Sequence, residues 1–141
     1  MKLNALWMIA AAGLALAGCN KAESPAEVTH DVADASAEAQ RDVADATADA
    51  REDNADAQKD IADARADNDS KDVADQAQEA SATAAKGDYK VAVAQAEANH
   101  KVAVEKCEAL SGDAQKSCKD TADSALDMAK KQAEQRRDGT G

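Results

Sequence analysis

Alanines and valines recur along residues 31–64 at steps of three and four, the period of one face of an α-helix. The seam runs Val32, Ala35, Ala39, Val43, Ala46, Ala50, Asn54, Ala57, Ile61 and Ala64, with Glu38, Asp49 and Asp60 among the acids on other faces. A short motif underlies it. Asp31-Val32-Ala33-Asp34 returns in related form from Asp42, Asp53, Asp60 and Asp72, at spacings of 11, 11, 7 and 12. Eleven residues make three turns at about 3.67 per turn, so the first steps keep one face in line. The 12-residue step rotates that face by about a third of a turn, which predicts a break near Asn68-Asp69-Ser70.

A second seam follows a joint expected over 81–88, where Ser81, Thr83 and Gly87 interrupt the pattern. It runs Tyr89, Val93, Ala96, His100, Ala103, Cys107 and Leu110, and Lys90-Val91-Ala92-Val93 recurs eleven residues on as Lys101-Val102-Ala103-Val104. Ser111-Gly112-Asp113 then reads as a turn, with Gly112 in the left-handed conformation and Asp113 capping the next helix. A third seam takes Cys118, Ala122, Ala125, Ala129 and Gln132. Folded back at the turn, the two seams meet wherever residue numbers sum to about 225, so that Cys107 faces Cys118, Ala103 faces Ala122 and His100 faces Ala125.

Composition decides how thick such a fold can be. The chain has no Phe and one Tyr, and alanine supplies most of its apolar content. A buried methyl stabilises by about 0.8 kcal/mol against roughly 2 to 3 for a leucine, whereas alanine is the best helix former. The expected fold class is therefore all-α with little globular core: a long, alanine-rich, partly repeat-built helix with coiled-coil character, then an antiparallel helical hairpin. As one continuous helix, residues 31–110 would reach roughly 120 Å.

Charge separates two regions. Glu23 to Glu79 holds 18 acids against five bases, a net of −13, while residues 80–141 hold ten of each. Such a polyanion repels nucleic acid and anionic headgroups. Two readings of the acidic helix stay open. In one, Val32, Val43, Asn54 and Ile61 mark an oligomer surface, with Asn54 setting register. In the other, the helix is single, solvated and kept extended by its own charge.

The N-terminus carries a different pattern: Lys2, an uncharged run from Ala5 to Leu16, then Ala17-Gly18-Cys19. This is a signal peptide in plan, too short and too abruptly ended for a settled transmembrane helix. Leu16-Ala17-Gly18-Cys19 resembles the lipobox of bacterial lipoprotein precursors. The resemblance implies cleavage before Cys19, a thioether diacylglycerol on its sulfur and an acyl chain, such as palmitate, on its new amino group; no other cofactor is expected. In enteric lipoproteins an Asp after that cysteine resembles an inner-membrane retention signal. Asn20 stands here, so the outer membrane, at its periplasmic face, is favoured over the inner.

Export to an oxidising compartment leaves Cys107 and Cys118 as an even pair after Cys19 is acylated, and the hairpin register predicts a disulfide between them. Ten intervening residues argue against a redox Cys-x-x-Cys, and no fourth ligand joins His100 and the cysteines at zinc spacing. The Asp-rich repeat lacks the EF-hand order of ligands. No catalytic set is legible, with only His30 and His100 as imidazoles and no glycine-rich phosphate loop, so a non-enzyme is expected.

Cys107-Glu108-Ala109-Leu110-Ser111-Gly112-Asp113-Ala114 with Cys118 resembles small alanine-rich envelope proteins of proteobacteria that share a Val-Ala, Cys, Leu-x-Gly-x-Ala, Cys pattern. In its plan of lipobox, tether and alanine-rich helix, the whole is similar to the murein lipoprotein class. That class ends in a lysine joined to peptidoglycan, whereas this chain ends Arg136-Arg137-Asp138-Gly139-Thr140-Gly141. Lys130, Lys131, Arg136 and Arg137 leave two readings: noncovalent contact with peptidoglycan or an envelope protein, or cations suited to a helix C-terminus.

The expected organisation is a signal peptide (1–18), an acylated cysteine and flexible tether (19–30), an acidic helical repeat (31–80), a joint (81–88), a disulfide-closed hairpin (89–136) and a disordered tail (137–141). The expected function is a lipid-anchored helical spacer or docking module in the periplasm, held by the membrane and capable of self-association. The alternative is a flexible polyanionic module for cations, cationic peptides or a basic protein.

Overall fold

The computed structural model describes residues 22–67 and 70–139. The signal sequence, Cys19 and residues 140–141 lie outside the described residues. Three helices follow one another: α1 (Pro25–Ala66), α2 (Ser70–Cys107) and α3 (Gly112–Asp138). The all-helical class read from the alanine-rich periodicity is what forms.

Helix α1 begins six residues before the repeat, inside the stretch expected to be a flexible tether. Its start is a capping box. The Glu27 backbone N–H donates to Ser24 Oγ at 3.3 Å, and the Ser24 N–H donates to Glu27 Oε2 at 3.0 Å. Pro25, at the first helical position, has the fixed φ of a helix and lacks an N–H that would have no partner there. The tether expected over 19–30 is thus corrected: from Pro25 onward the chain is helix.

Helix α1 ends at Ala66, where the 12-residue step carries the seam off its face; the break expected near 68–70 falls largely outside the described residues, and α2 begins at Ser70. The 120 Å rod is corrected accordingly. At 1.5 Å per residue, the 42 residues of α1 span about 63 Å, and α2 returns alongside.

No joint interrupts 81–88, because α2 runs helical through Ser81, Thr83 and Gly87. Gly87 is buried in the middle of the helix, and a Cβ built there would lie 3.0 Å from Ala50 Cβ. The glycine permits close approach of α1 and α2 rather than marking a break.

Helix α2 is the centre of the molecule. It packs along α1 and along α3, while no close backbone approach joins α1 to α3 among the described residues. The contacts with α1 pass through Gly87, Lys90 and Lys101, and those with α3 through Glu97, His100 and Cys107. At about 100° per residue, Ala80, Gly87, Val91 and Ala98 form one stripe, and Tyr89, Val93, Ala96 and Cys107 form the opposite one. The repeated Lys-Val-Ala-Val therefore supplies valines to two interfaces at once.

All ten seam residues of α1, from Val32 to Ala64, are buried or half-buried. The face set aside for a second molecule, with Val32, Val43, Asn54 and Ile61, is covered by the chain's own α2. The core it forms is thin: Ile61 and Cys107 are the only buried hydrophobic residues larger than alanine among the described residues.

The α2–α3 turn holds Gly112 at φ +60°, the left-handed region that glycine tolerates best. Asp113 lies in the first turn of α3, and Ser111 is the residue before the helix, with no side-chain cap bond. The hairpin register is as read, with Cys107 and Cys118 at disulfide bonding distance and their Cα atoms 5.7 Å apart. The α3 stripe differs. Cys118, Ala122, Leu126, Ala129 and Ala133 are buried or half-buried, while Ala125 and Gln132 are exposed. The stripe shifts by one residue beyond Ala122 because Leu126, with more apolar surface than Ala125, takes the covered position. Helix α3 continues through Asp138, so the tail expected over 137–141 is corrected at its first two residues, which are helical, while 140–141 lie outside the described residues.

Candidate functional site: the two faces of a three-helix layer

With α1 and α3 on opposite sides of α2, the molecule is a single layer of helices, open above and below. Its two faces differ in chemistry.

One face is laced by ion pairs. Lys101 Nζ lies 2.8 Å from Glu38 and 3.5 Å from Asp42, and Lys90 Nζ is 3.2 Å from Asp53. On the α3 side, Lys130 reaches Glu97 at 2.7 Å and Lys119 reaches Glu108 at 2.5 Å. The hydrogen bond from Lys101 holds the Glu38 carboxyl below its ordinary range, and Glu38 in turn raises Lys101. Glu97 similarly raises Lys130. These pairs are largely exposed, so each adds little stability; their consistent placement selects register. Most acids of α1, including Asp31, Asp45, Asp49, Asp56 and Asp60, lie on the same flank by helical period.

At one end of this face the chain start meets the hairpin turn. The Glu23 backbone N–H donates to Glu108 O at 2.9 Å. Glu23 Oε2 is enclosed without a hydrogen-bond partner. Loss of hydration, then the charges of Asp31, Glu108, Glu105 and Glu27, raise this carboxyl's pKa. A neighbouring cleft of about 330 Å³ is lined by Asp31, Asp34, Glu38, Lys101 and Glu105. Among the described residues, no cluster of three or more His, Cys, Asp or Glu has the arrangement of a metal site.

The other face holds a groove of about 970 Å³. Thr47, Arg51 and Asn54 of α1 form one wall and Ala133, Arg136 and Arg137 of α3 form the other; the floor is α2, with Ala84, Ala85, Asp88 and Ala92. By helical period this flank of α1 carries Ser36, Gln40, Thr47, Asn54 and Gln58 with Arg51 and Arg65, and no acid. The guanidinium of Arg137 stands over the Tyr89 ring at 4.6 Å from its centroid and pairs with Asp138 at 2.8 Å, which orders that end of the wall.

Most of the sequence-derived candidates have structural places. Cys107 and Cys118 meet at the hairpin, and Cys107 is almost wholly buried. His100 Nε2 lies 2.6 Å from Asp123 Oδ1 across the α2–α3 interface, so it bridges two helices. His30 sits beside Asp31 and Asp34 at 3.5 and 3.2 Å. Val32, Val43, Asn54 and Ile61 face α2, with Asn54 also at the groove edge. Cys19 lies outside the described residues. The groove escaped sequence reading because its residues come from three helices whose mutual placement no local spacing encodes. The absence of acids on one flank of α1 was the available signal.

No helix among the described residues is long and apolar enough to cross a membrane. No protein family, curated protein or solved structure matches this chain.

Proposed function

We propose that the chain is a non-enzymatic lipoprotein of the bacterial cell envelope, anchored at the periplasmic face of the outer membrane through acyl chains on Cys19. Its folded part is a short three-helix post that serves as spacer and docking module. The observation that carries the reading is the bond from the Glu23 N–H to Glu108 O, which ties the segment after the lipobox to the hairpin turn. Four residues span at most about 14 Å, so an acyl chain on Cys19 would be tethered within that reach of Glu23 at the Cys107–Cys118 end. The disulfide-closed turn is then membrane-proximal, and the end formed by the last turn of α1 and the first turn of α2 points outward, about 60 Å away.

The alternative, a polyanionic module for cations, cationic peptides or a basic partner, draws on the acids gathered on one flank of α1. The continuous packing of α1 against α2 favours the post over a flexible sponge.

The test is acylation. Cells expressing the full precursor should incorporate labelled palmitate into it and retain it in the outer-membrane fraction, and Cys19→Ser should lose both the label and retention. An unlabelled wild type, or full membrane retention of Cys19→Ser, overturns the proposal.

A further inference from the structure

The groove face calls for an occupant. It is lined from Ser81 to Gln95, which is about 21 Å along the α2 axis, or about four helical turns. Its floor is paved with alanine methyls, and small side chains let helix axes approach to the short end of their usual separation. The three-helix layer leaves above α2 the position that a fourth helix fills in a bundle. An elongated, shallow slot of this kind suits a helix better than a compact small molecule.

Charge specifies which helix. The protein carries a net charge of −11, yet Arg51 and Arg136 stand on facing walls of this groove with Arg137 beside them, and Asp88 is the one acid among its lining residues. The remaining acids of α1 lie on the far flank. We infer that the groove is a docking site for an amphipathic helix of another envelope protein, one with a stripe of small residues flanked by carboxylates. The carboxylates pair with Arg51 on one wall and Arg136 on the other, while the small stripe rests on Ala85 and Ala92.

A second copy is a poorer occupant. Copies tethered in one membrane point the same way, and a face-to-face pair would set Arg51 of each against Arg136 of the other, since both lie level with the middle of α2. This exclusion rests on the lipid-anchor reading; the groove and its arginines do not.

The experiment uses the full chain, purified in detergent, and a synthetic 18-residue helical peptide with an alanine stripe and flanking glutamates. Fluorescence anisotropy at low salt should show binding that weakens about tenfold with Arg51→Glu plus Arg136→Glu. Lys116→Glu, a charge reversal on α3 off the groove, should alter binding less than about twofold, as should conversion of Cys19 to Ser. The peptide with glutamines for glutamates should bind about tenfold more weakly. Ala92→Leu, with unchanged circular dichroism, should also block binding by filling the floor. No binding by the wild type overturns the proposal, as does equal loss with Lys116→Glu. A wild-type dimer in sedimentation that Ala92→Leu dissociates would seat a second copy there and likewise overturn it.

Discussion

Gly87 of α2 and Ala50 of α1 meet so closely that a methyl group on the glycine would stand 3.0 Å from the alanine's own Cβ. This contact sits where sequence punctuation suggested a joint, and it explains how helices with almost no large side chains can still pack. Gly87→Ala gains about 1 kcal/mol of helix propensity, but it forces the two helices apart in a tight interface, where overpacking costs typically 1 to 3 kcal/mol. The variant should be less stable by about 1 kcal/mol, and Gly87→Leu by several times that. Ala50→Gly should partly rescue Gly87→Ala in a urea-denaturation double-mutant cycle, which no loss confined to Gly87 would show.

Reduction of the Cys107–Cys118 pair should act on α3 before the rest. Closing a loop of this length is worth about 3 kcal/mol on the chain-entropy model. Among the described residues α3 packs along α2 and makes no close backbone approach to α1, and its buried side is mostly alanine. In hydrogen exchange the Cys118→Ala variant should lose protection throughout α3 while α1 and the first half of α2 keep theirs. Uniform loss across all three helices would contradict this division.

Glu23 provides a pH test. Its pKa is raised above the ordinary value of 4.5 by desolvation and by the surrounding carboxylates. The protonated form suits the fold, so this group's favourable contribution is complete below its unfolded pKa and is lost as pH rises through the folded one. Glu23→Gln should therefore have a higher melting temperature than the wild type at pH 7, and the difference should close as pH falls below about 4.5. The wild-type capping carboxylate Glu27 works in the opposite sense. Its pKa is lowered by bonds from Ser24, so its contribution is present above the unfolded pKa and is lost as pH falls through the folded one.

The one-residue shift in the α3 stripe can be read from a pair of neighbours. Ala133 is buried and Gln132 exposed. Ala133→Asp should destabilise by about 2 to 4 kcal/mol, since it buries a charge in an apolar interface, whereas Gln132→Asp should fall within about 0.5 kcal/mol of the wild type. Thermal melts of the two variants separate the alternatives, because a strict four-three stripe predicts the reverse order.

Helical class, the buried face of α1 and the hairpin register were legible in residue spacing because each depends on local geometry. A helix repeats every 3.6 residues whatever it packs against, so Val32, Ala39, Ala50 and Ile61 announce a face, and a four-residue turn between Cys107 and Gly112 leaves little choice of register. Ser24-Pro25 reads in the sequence as part of a tether, whereas Ser24-Pro25-Ala26-Glu27 forms the capping box that opens α1. Spacing does not name the partner of a face. A seam of small residues is equally suited to another molecule or to the same chain, and only the packing of α2 back along α1 commits that seam. Gly87 could signal a turn or a close approach, and the tertiary contact with Ala50 decides between them. The groove with Arg51, Asp88 and Arg136 exists only once three helices lie side by side, since residues so far apart in sequence acquire a common surface through packing alone.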